Sequence, residues 1–361
     1  MVSKAQHANA TANALAFAPF IVPYLNTALS LLQLYPRLGS ANTPAPLKEG
    51  LEAVITHAVL FLTNVLSCTL YHGSRKSSSP PSNSAHPLPS PEEVQQRVDS
   101  VLTPQVCSEL TSLLIASFLT MSPAALQDCA ADPEAFASEE NNEEGLRVRQ
   151  TAETLLMTLL GEKKEAVTTV IVHMLNSNAQ TLDPSPDAVL LRDALYNAVG
   201  LCCYELDTLI PFTSWFSSTL MQELSLQHKL QWVLKRRVAM LLGAWVDSFK
   251  DPQPRDAAYS VLLTLMGDEN MAVRMAACDG LLSLVDDVNF YAEHFQTHLV
   301  KAMTLLFELI AAAREVDTKL RVLNTITILM AGMGERIQPV VQGILQAVPA
   351  LWEEAKQEHL L

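Results

Sequence analysis

The sequence predicts an all-α protein built as an α-solenoid, which is a row of antiparallel helical hairpins. Nearly half of the residues are hydrophobic but only 6% are aromatic, and Leu and Ala dominate, which favours helices packed on helices over sheets. Only 12 of the 361 residues are Gly, so tight β-turns and Gly-rich phosphate loops are scarce. Apolar residues recur with helical periodicity, and no segment shows the period of two that is typical of a strand.

The predicted helices follow one another with short connections. They span 17–35 (broken near Pro23), 47–72, 91–102, 104–121, 144–160, 165–176, 187–205, 211–227, 230–249, 255–266, 270–285, 290–313, 317–333 and 336–352. Most connections have the length that joins antiparallel neighbours, about two to eight residues. The hairpins recur every ~40 to 47 residues, which predicts roughly eight repeats. Each hairpin buries its apolar faces against its neighbours, so no single hairpin is stable alone.

Two segments interrupt the helical pattern. The Ser/Pro-rich segment 73–91 (GSRKSSSPPSNSAHPLPSP) cannot pack a core, and we predict a disordered loop that separates hairpins in 1–72 from a solenoid in 92–361. Within it, Ser79 and Ser90 each precede a Pro and could be phosphorylated, while a tolerated loop insertion is the simpler interpretation. The second segment, 132–145, is acidic, and we predict a loop there as well.

The charge and the cysteines exclude several classes of protein. The net charge of −14 excludes a general nucleic-acid binder, which needs a basic surface, and it suits a soluble protein with a basic partner. None of the six Cys forms a CxxC motif, which indicates a reducing compartment. The apolar stretch 53–70 has the length of a membrane span, but its polar residues favour a buried helix, and we predict no membrane insertion.

One hairpin, over 254–287, shows the repeat most clearly. In its stretch GDENMAVRMAACDGL (267–281), an Asp lies in the turn and a Val-Arg pair follows it. This arrangement resembles the HEAT consensus, in which the Asp and the Arg form a ladder between neighbouring repeats. We therefore assign Asp268 and Arg274 to a structural ladder, and we expect Asp268 to accept backbone N–H groups at the helix start as well. The small residues Ala276, Ala277 and Gly280 predict a close approach of helices.

No motif for catalysis is present. The sequence contains no GxSxG, GxGxxG or Walker loop, so we predict neither an enzyme nor a cofactor. His294 and His298 are spaced to hold zinc from one helix, but the Glu of the zincin motif is replaced by Phe295 and no third ligand is evident, so we predict surface histidines and no metal. The adjacent Cys202 and Cys203 fit core packing better than redox chemistry.

Several longer segments resemble the importin-β (karyopherin) family. The likeness is strongest over 132–361, and its segments are DPEAFASEE (132–140), LRVRQTAETLLMTLL (146–160), LLRDALYNAVGLCCYEL (190–206), LKRRVAMLLGAWV (234–246), VDDVNF (285–290), DTK-x-x-VL (317–323) and PALWEEAKQEHLL (349–361). Because family members have about twice as many repeats, we expect the chain to correspond to a central fragment or a short isoform of such a receptor.

The resemblance implies a function. It implies a nuclear transport receptor that binds protein cargo, whose import cargo is displaced by Ran in its GTP state. Such a receptor contacts Phe-Gly repeats of nucleoporins and shuttles between cytoplasm and nucleus. In the branch of the family that the segments resemble, cargo includes ubiquitin-conjugating enzymes and ribosomal protein. The alternative is a generic HEAT-repeat scaffold or a regulatory subunit of a protein complex.

The acidic segment is the candidate partner-binding site. Glu139, Glu140, Glu143 and Glu144 could contact a basic surface on Ran or on cargo, with an affinity that falls as salt rises. The alternative is a solvated linker without a binding role.

Overall fold

The computed structural model describes residues 15–38, 45–69, 71, 89–140, 147–178 and 182–357. The α-helices in this part of the chain are α1 (Ile21–Leu32), α2 (Tyr35–Leu38), α3 (Ala45–Leu66), α4 (Pro91–Val101), α5 (Pro104–Leu113), α6 (Pro123–Ala131), α7 (Pro133–Glu140), α8 (Val148–Glu162), α9 (Lys164–Asn178), α10 (Pro186–Leu201), α11 (Cys203–Leu206), α12 (Phe212–Trp215), α13 (Met221–Ser225), α14 (Gln231–Ala244), α15 (Pro252–Leu265), α16 (Met271–Val285), α17 (Ala292–Phe295), α18 (Leu299–Ala312), α19 (Val316–Met333) and α20 (Gln338–Gln357). Short 3₁₀ or π turns lie at Ala18–Phe20, Leu114–Phe118, Phe216–Leu220, Val246–Ser248 and Gly334–Ile337. No strand occurs among these residues, which confirms the all-α prediction.

Helix starts follow local capping chemistry. The side chains of Ser90, Thr103 and Ser122 each accept the backbone N–H three residues later, at 3.2, 3.3 and 3.1 Å, and each is followed by a Pro. A Pro suits the first turn because its missing N–H would have no partner inside the helix. Ser90 also forms a capping box with Glu93.

The same argument corrects one predicted boundary. We predict a break near Pro23, but Pro23 lies in the first turn of α1, which runs on to Leu32. A Pro in the first turn removes no intrahelical hydrogen bond, so the helix does not need to break there.

The described residues form two compact units. The first lies within Met1–Thr120 and Gly145–Ser177, and among its described residues α1 packs on α3 and α4, while α3 packs on α8. The second comprises Met121–Glu144 and Asn178–Leu361. These units cut across the predicted division at 73–91, because the helices before and after that segment belong to one unit.

The Ser/Pro-rich segment itself falls mostly outside the described residues. Ser79 is among the residues that are not described, whereas Ser90 is exposed and caps the start of α4. Its phosphorylation stays a prediction.

The second unit contains a row of stacked helices. Helices α10, α14, α16 and α19 contact one another in that order, and α15 with α16 and α18 with α19 form hairpins. The hairpin turn between α15 and α16 contains Gly267 and Asp268, as the sequence predicts. This arrangement is the nearest-neighbour stacking that is expected of a solenoid.

The predicted acidic loop over 132–145 is wrong for much of its length. Residues Pro133–Glu140 form α7, and α6 comes directly before it. Both helices were missed because they are short and their apolar residues do not repeat over several turns. Residues 141–146 lie outside the described part of the chain.

Three helical stretches have the length and apolar composition of a membrane span. They are Leu15–Leu32, Glu49–Leu66 and Pro104–Ala131. The third is not one continuous helix, since the helical stretch that begins with α5 ends at Phe118 and α6 begins only at Pro123. Backbone groups that leave a helix have no partner in lipid, so this break argues against a span. The absence of membrane insertion remains a prediction.

Helices α14 and α16 approach closely at two glycines. A Cβ at position 280 would lie 2.7 Å from the Ala239 carbonyl oxygen and 2.8 Å from Cδ2 of Leu262. A Cβ on Gly243, in α14, would lie 3.1 Å from the Cα of Gly280. The close approach that the small residues predict is therefore confirmed at Gly280.

We expect Gly280→Ala to destabilise the second unit by about 1–3 kcal/mol, because the new methyl group would collide with a backbone carbonyl that cannot move independently of α14. The midpoint of urea unfolding measures this loss. Gly343→Ala in α20 is the matched control, since no atom lies within 4 Å of its added Cβ, and it should be neutral or stabilising by up to ~1 kcal/mol. Equal midpoints for the two variants would contradict the packing argument.

Candidate partner-binding surface

Helices α6 and α7 lie on the row of stacked helices rather than within it. They pack on each other, and α7 also packs on α16 and α19. The apolar side chains that meet here come from four helices and from a residue two positions before α6: Met121, Cys129, Phe136, Ala137, Val233, Ala272 and Met275. Partly buried Trp232 and Met271 border the same cluster.

Helices α6 and α7 begin in the same way, with a capping residue followed by a Pro. Ser122 caps α6 and Pro123 follows it; Asp132 then ends α6 and Pro133 opens α7. The Asp132 carboxylate accepts the N–H of Ala135 at 3.1 Å, which caps α7. The two helices therefore follow each other with only Asp132, which is not helical, between them.

The carboxylate of Glu134 is the central polar group of this surface. Only 2% of Glu134 is exposed, and its oxygens accept the backbone N–H of Arg314 at 3.0 Å and of Glu315 at 2.9 Å. These N–H groups lie immediately before α19, where the helix dipole favours a negative charge. The capping group of α19 thus comes from a residue 180 positions earlier in the chain.

Arg314 adds a charged contact at the rim. Its Nη2 donates to Oδ1 of Asp132 at 2.6 Å, and its Nε lies 3.4 Å from Oε2 of Glu134. The N–H of Ala135, and then the charge of Arg314, hold the pKa of Asp132 below its usual range. A carboxylate with a lowered folded pKa stabilises the fold above its unfolded value of ~3.9, and that contribution disappears as the pH falls through the folded pKa. At neutral pH the contact is therefore fully formed.

A buried arginine forms part of the floor, which is the surface of α14 and α16 on which α7 packs. The guanidinium of Arg236 in α14 lies over the ring of Phe136, 5.4 Å from its centroid. Burial, and then the charge of Arg237, lowers the pKa of Arg236 to about 9, so it remains a cation at neutral pH. The floor under α7 is therefore apolar but carries one positive charge.

Ion pairs connect successive helices of the row. Arg237 of α14 donates to Asp193 of α10 at 2.7 Å, and Arg321 of α19 pairs with Asp279 of α16. Arg237 also donates to the side-chain oxygen of Asn197 at 2.7 Å. Each pair links two neighbouring helices, so the row is held by charges as well as by apolar packing.

The two predicted ladder residues take different roles. Asp268 accepts from Nζ of Lys235 in the preceding hairpin at 2.7 Å and from the N–H of Asn270 at 2.9 Å. Arg274 donates from Nε to the Met266 carbonyl of its own hairpin at 3.1 Å. The structure thus places Asp268 between hairpins and Arg274 within one.

Only some of the four predicted acidic site residues lie in the described part of the chain. Glu139 is an exposed residue of α7, and Glu140 ends that helix. The side chain of Glu140, and all of Glu143 and Glu144, lie outside the described residues. The carboxylates that the structure does place in contacts, Asp132 and Glu134, come earlier in the same segment.

The other candidate groups show structural contacts. Nε2 of His298 lies 2.6 Å from Oδ1 of Asp256, whereas His294 lies in α17, beside the ring of Tyr291. No group of three or more His, Cys, Asp or Glu is placed to hold a metal ion within the described ranges. Burial raises the pKa of the Cys202 thiol to about 12, so the thiol stays protonated at neutral pH.

Sequence reasoning missed Glu134 and its partners. A signal was present in the two dipeptides Ser122-Pro123 and Asp132-Pro133, each of which is a typical helix start. The partner at Arg314 could not be found, because no local spacing relates two residues 180 positions apart.

Comparisons with known proteins identify relatives of the chain. It is 30% identical over 257 residues to human importin-11, covering 70% of this chain and 26% of that protein. It is 23% identical over 262 residues to the importin beta-like protein KAP120 of Saccharomyces cerevisiae, covering 70% of this chain and 25% of that protein. The chain thus spans about a quarter of the length of these relatives. No family model matches the chain.

Solved structures show the same fold. Lph2, described as a bidirectional nuclear transport receptor of S. cerevisiae, superposes with a TM-score of 0.79 at 21% identity, covering 92% of this chain and 33% of that chain. Kap121p bound to Pho4p superposes with a TM-score of 0.60 at 13% identity, covering 94% and 28%. These neighbours are karyopherin HEAT-repeat solenoids, which confirms the predicted fold class. The predicted resemblance to the importin-β family is confirmed by this homology to importin-11 and KAP120.

We expect Glu134→Ala to lower the free energy of unfolding by about 1–3 kcal/mol, because it removes the charged acceptor of the part-buried hydrogen bonds from the N–H groups of Arg314 and Glu315. Thermal unfolding followed by circular dichroism measures the change. Glu139→Ala in the same helix is the control, and since Glu139 is exposed it should alter stability by no more than ~0.5 kcal/mol. Equal melting temperatures for the two variants would show that the Glu134 cap contributes nothing.

Proposed function

We propose, from the homology to importin-11, that the chain is a segment of a nuclear transport receptor that binds protein cargo for Ran-GTP-dependent nuclear import. The observation that carries this proposal is the similarity to importin-11 along most of the chain. The fold supports it, because a row of helical hairpins offers an extended surface on which a protein partner can lie. The receptor would shuttle between the cytoplasm and the nucleus.

The proposed partners follow from the importin-β resemblance. They are Ran in its GTP form, Phe-Gly repeats of nucleoporins and a protein cargo, with ubiquitin-conjugating enzymes or ribosomal protein as candidates. One structural neighbour, Kap121p, was solved bound to the protein Pho4p, which supports a protein as cargo. The net charge of −14 favours a basic protein over nucleic acid as the partner. We propose no enzymatic activity and no cofactor.

The acidic residues Glu139, Glu140, Glu143 and Glu144 are proposed as a contact for a basic surface of Ran or cargo. Glu139 supports this role because it is exposed on a helix that is held in place by Glu134. Exposed charges of this kind speed association and give it a dependence on salt more than they add affinity.

A pulldown tests the proposal. The immobilised chain should retain a Phe-Gly nucleoporin fragment, and it should retain Ran loaded with a non-hydrolysable GTP analogue more strongly than Ran loaded with GDP. Replacing all four acidic residues with Lys should reduce capture of a basic cargo at low salt and leave capture of the nucleoporin fragment unchanged. Failure to retain either Ran-GTP or the nucleoporin fragment would contradict the assignment of these partners to this chain.

A further inference from the structure

Helix α7 breaks the contact rule of the array on which it lies. In a solenoid each hairpin contacts only its neighbours in sequence. Helix α7 instead contacts α16 and α19, and the hydrogen bonds of Glu134 join residues 180 positions apart. Helix α7 is therefore an added segment that lies across several repeats.

The surface beneath α7 has three features that together determine which chemical groups a ligand must carry. Its floor is apolar, with Val233, Ala272 and Met275 almost fully buried. The floor carries one buried cation, the guanidinium of Arg236. At its edge lies the start of α19, where the backbone N–H groups of Arg314 and Glu315 and the Arg314 side chain all point to acceptors. The ligand that fits must therefore be apolar in one part and doubly acidic in another.

Three side chains, two from α7 and one from Asp132 directly before it, meet these features. Phe136 lies on the apolar floor against Arg236, Glu134 accepts the N–H groups before α19, and Asp132 pairs with the Arg314 side chain. The three residues alternate with others, so the recognised pattern is Asp-x-Glu-x-Phe. A Ser138 hydroxyl close to that of Thr318, at 3.5 Å, continues the contact along α19.

The attachment of α7 has the properties of an exchangeable contact. The helix has only 8 residues, and helices of that length are unstable in isolation, so its order depends on the surface. The ion pair between Arg314 and Asp132 is solvent-accessible, with 65% and 38% of the two side chains exposed, and exposed pairs contribute little. A second segment with the same three groups would make the same contacts.

We propose that the surface formed by α14, α16 and α19 is a binding groove for a partner protein helix that carries the Asp-x-Glu-x-Phe pattern, and that α7 is its intramolecular occupant. A partner with this pattern binds by displacing α7. The inference concerns a site of its own and does not depend on the transport function.

The probe is a fluorescein-labelled peptide of residues 121–140, measured by fluorescence anisotropy against the full chain. In the chain variant Asp132→Asn/Glu134→Gln, the intramolecular helix loses both carboxylates while the groove is intact. We expect the peptide to bind this variant at least tenfold more tightly than the wild type. A peptide with Glu134→Gln and Phe136→Ala is the matched control and should not bind either chain.

Hydrogen exchange shows what happens to α7 itself. Exchange in 121–140 should rise in the Asp132→Asn/Glu134→Gln chain, with α8 and α9 of the other unit unchanged. It should also rise in the wild-type chain when unlabelled peptide is added in excess, a measurement that needs no variant to fold.

Three results would overturn the proposal. If α7 is released but the peptide does not bind, the groove accepts no partner. If exchange in 121–140 stays low in both the variant and the peptide-treated wild type, α7 is a fixed part of the fold. Equal binding of the control peptide would show that the carboxylates and the aromatic ring are not recognised.

Discussion

The buried carboxylate of Glu134 is the interaction on which the placement of α7 depends. A carboxylate that is 2% exposed needs hydrogen-bond donors, and it finds them in the backbone N–H groups of Arg314 and Glu315. Once these bonds form, the direction of α7 is set, Phe136 must lie against Arg236, and Asp132 comes within reach of the Arg314 side chain. One polar contact thus positions the apolar cluster beneath α7.

This contact distinguishes the array from a solenoid in which hairpins contact only their neighbours. Stacked hairpins that meet only their neighbours behave as a chain of independent interfaces, each of which can open on its own. Ion pairs such as Asp193–Arg237 strengthen single interfaces of this kind. Helix α7 instead contacts α14 through Phe136 and the start of α19 through Glu134, and these two helices are not neighbours in the row. The surface that we propose for partners is thus partly covered by a segment of the same chain.

The sequence predicts the hairpins well because their cause is local. Apolar spacing, a Ser or Thr before a Pro, and a turn at Gly267 and Asp268 each act within a few residues, and the α15–α16 hairpin forms as expected. The close approach of helices at Gly280 can also be predicted, since helical periodicity determines the face on which Gly280 lies. The candidate site is different. The sequence shows its acidic residues but does not distinguish the exposed Glu139 from the buried Glu134, because burial within this helix is decided by a partner 180 positions away.

A disulfide cross-link tests most directly whether α7 lies on α19. The hydroxyl oxygens of Ser138 and Thr318 are 3.5 Å apart, so cysteines at both positions would bring their sulfurs within bonding reach. We predict that the Ser138→Cys/Thr318→Cys chain forms this disulfide nearly completely under mild oxidation, identified by mass spectrometry of the linked peptides. Ser138→Cys/Thr327→Cys, with the second cysteine at an exposed position of α19, should remain unlinked. Absence of the 138–318 cross-link in the folded chain would contradict the placement of α7 on α19.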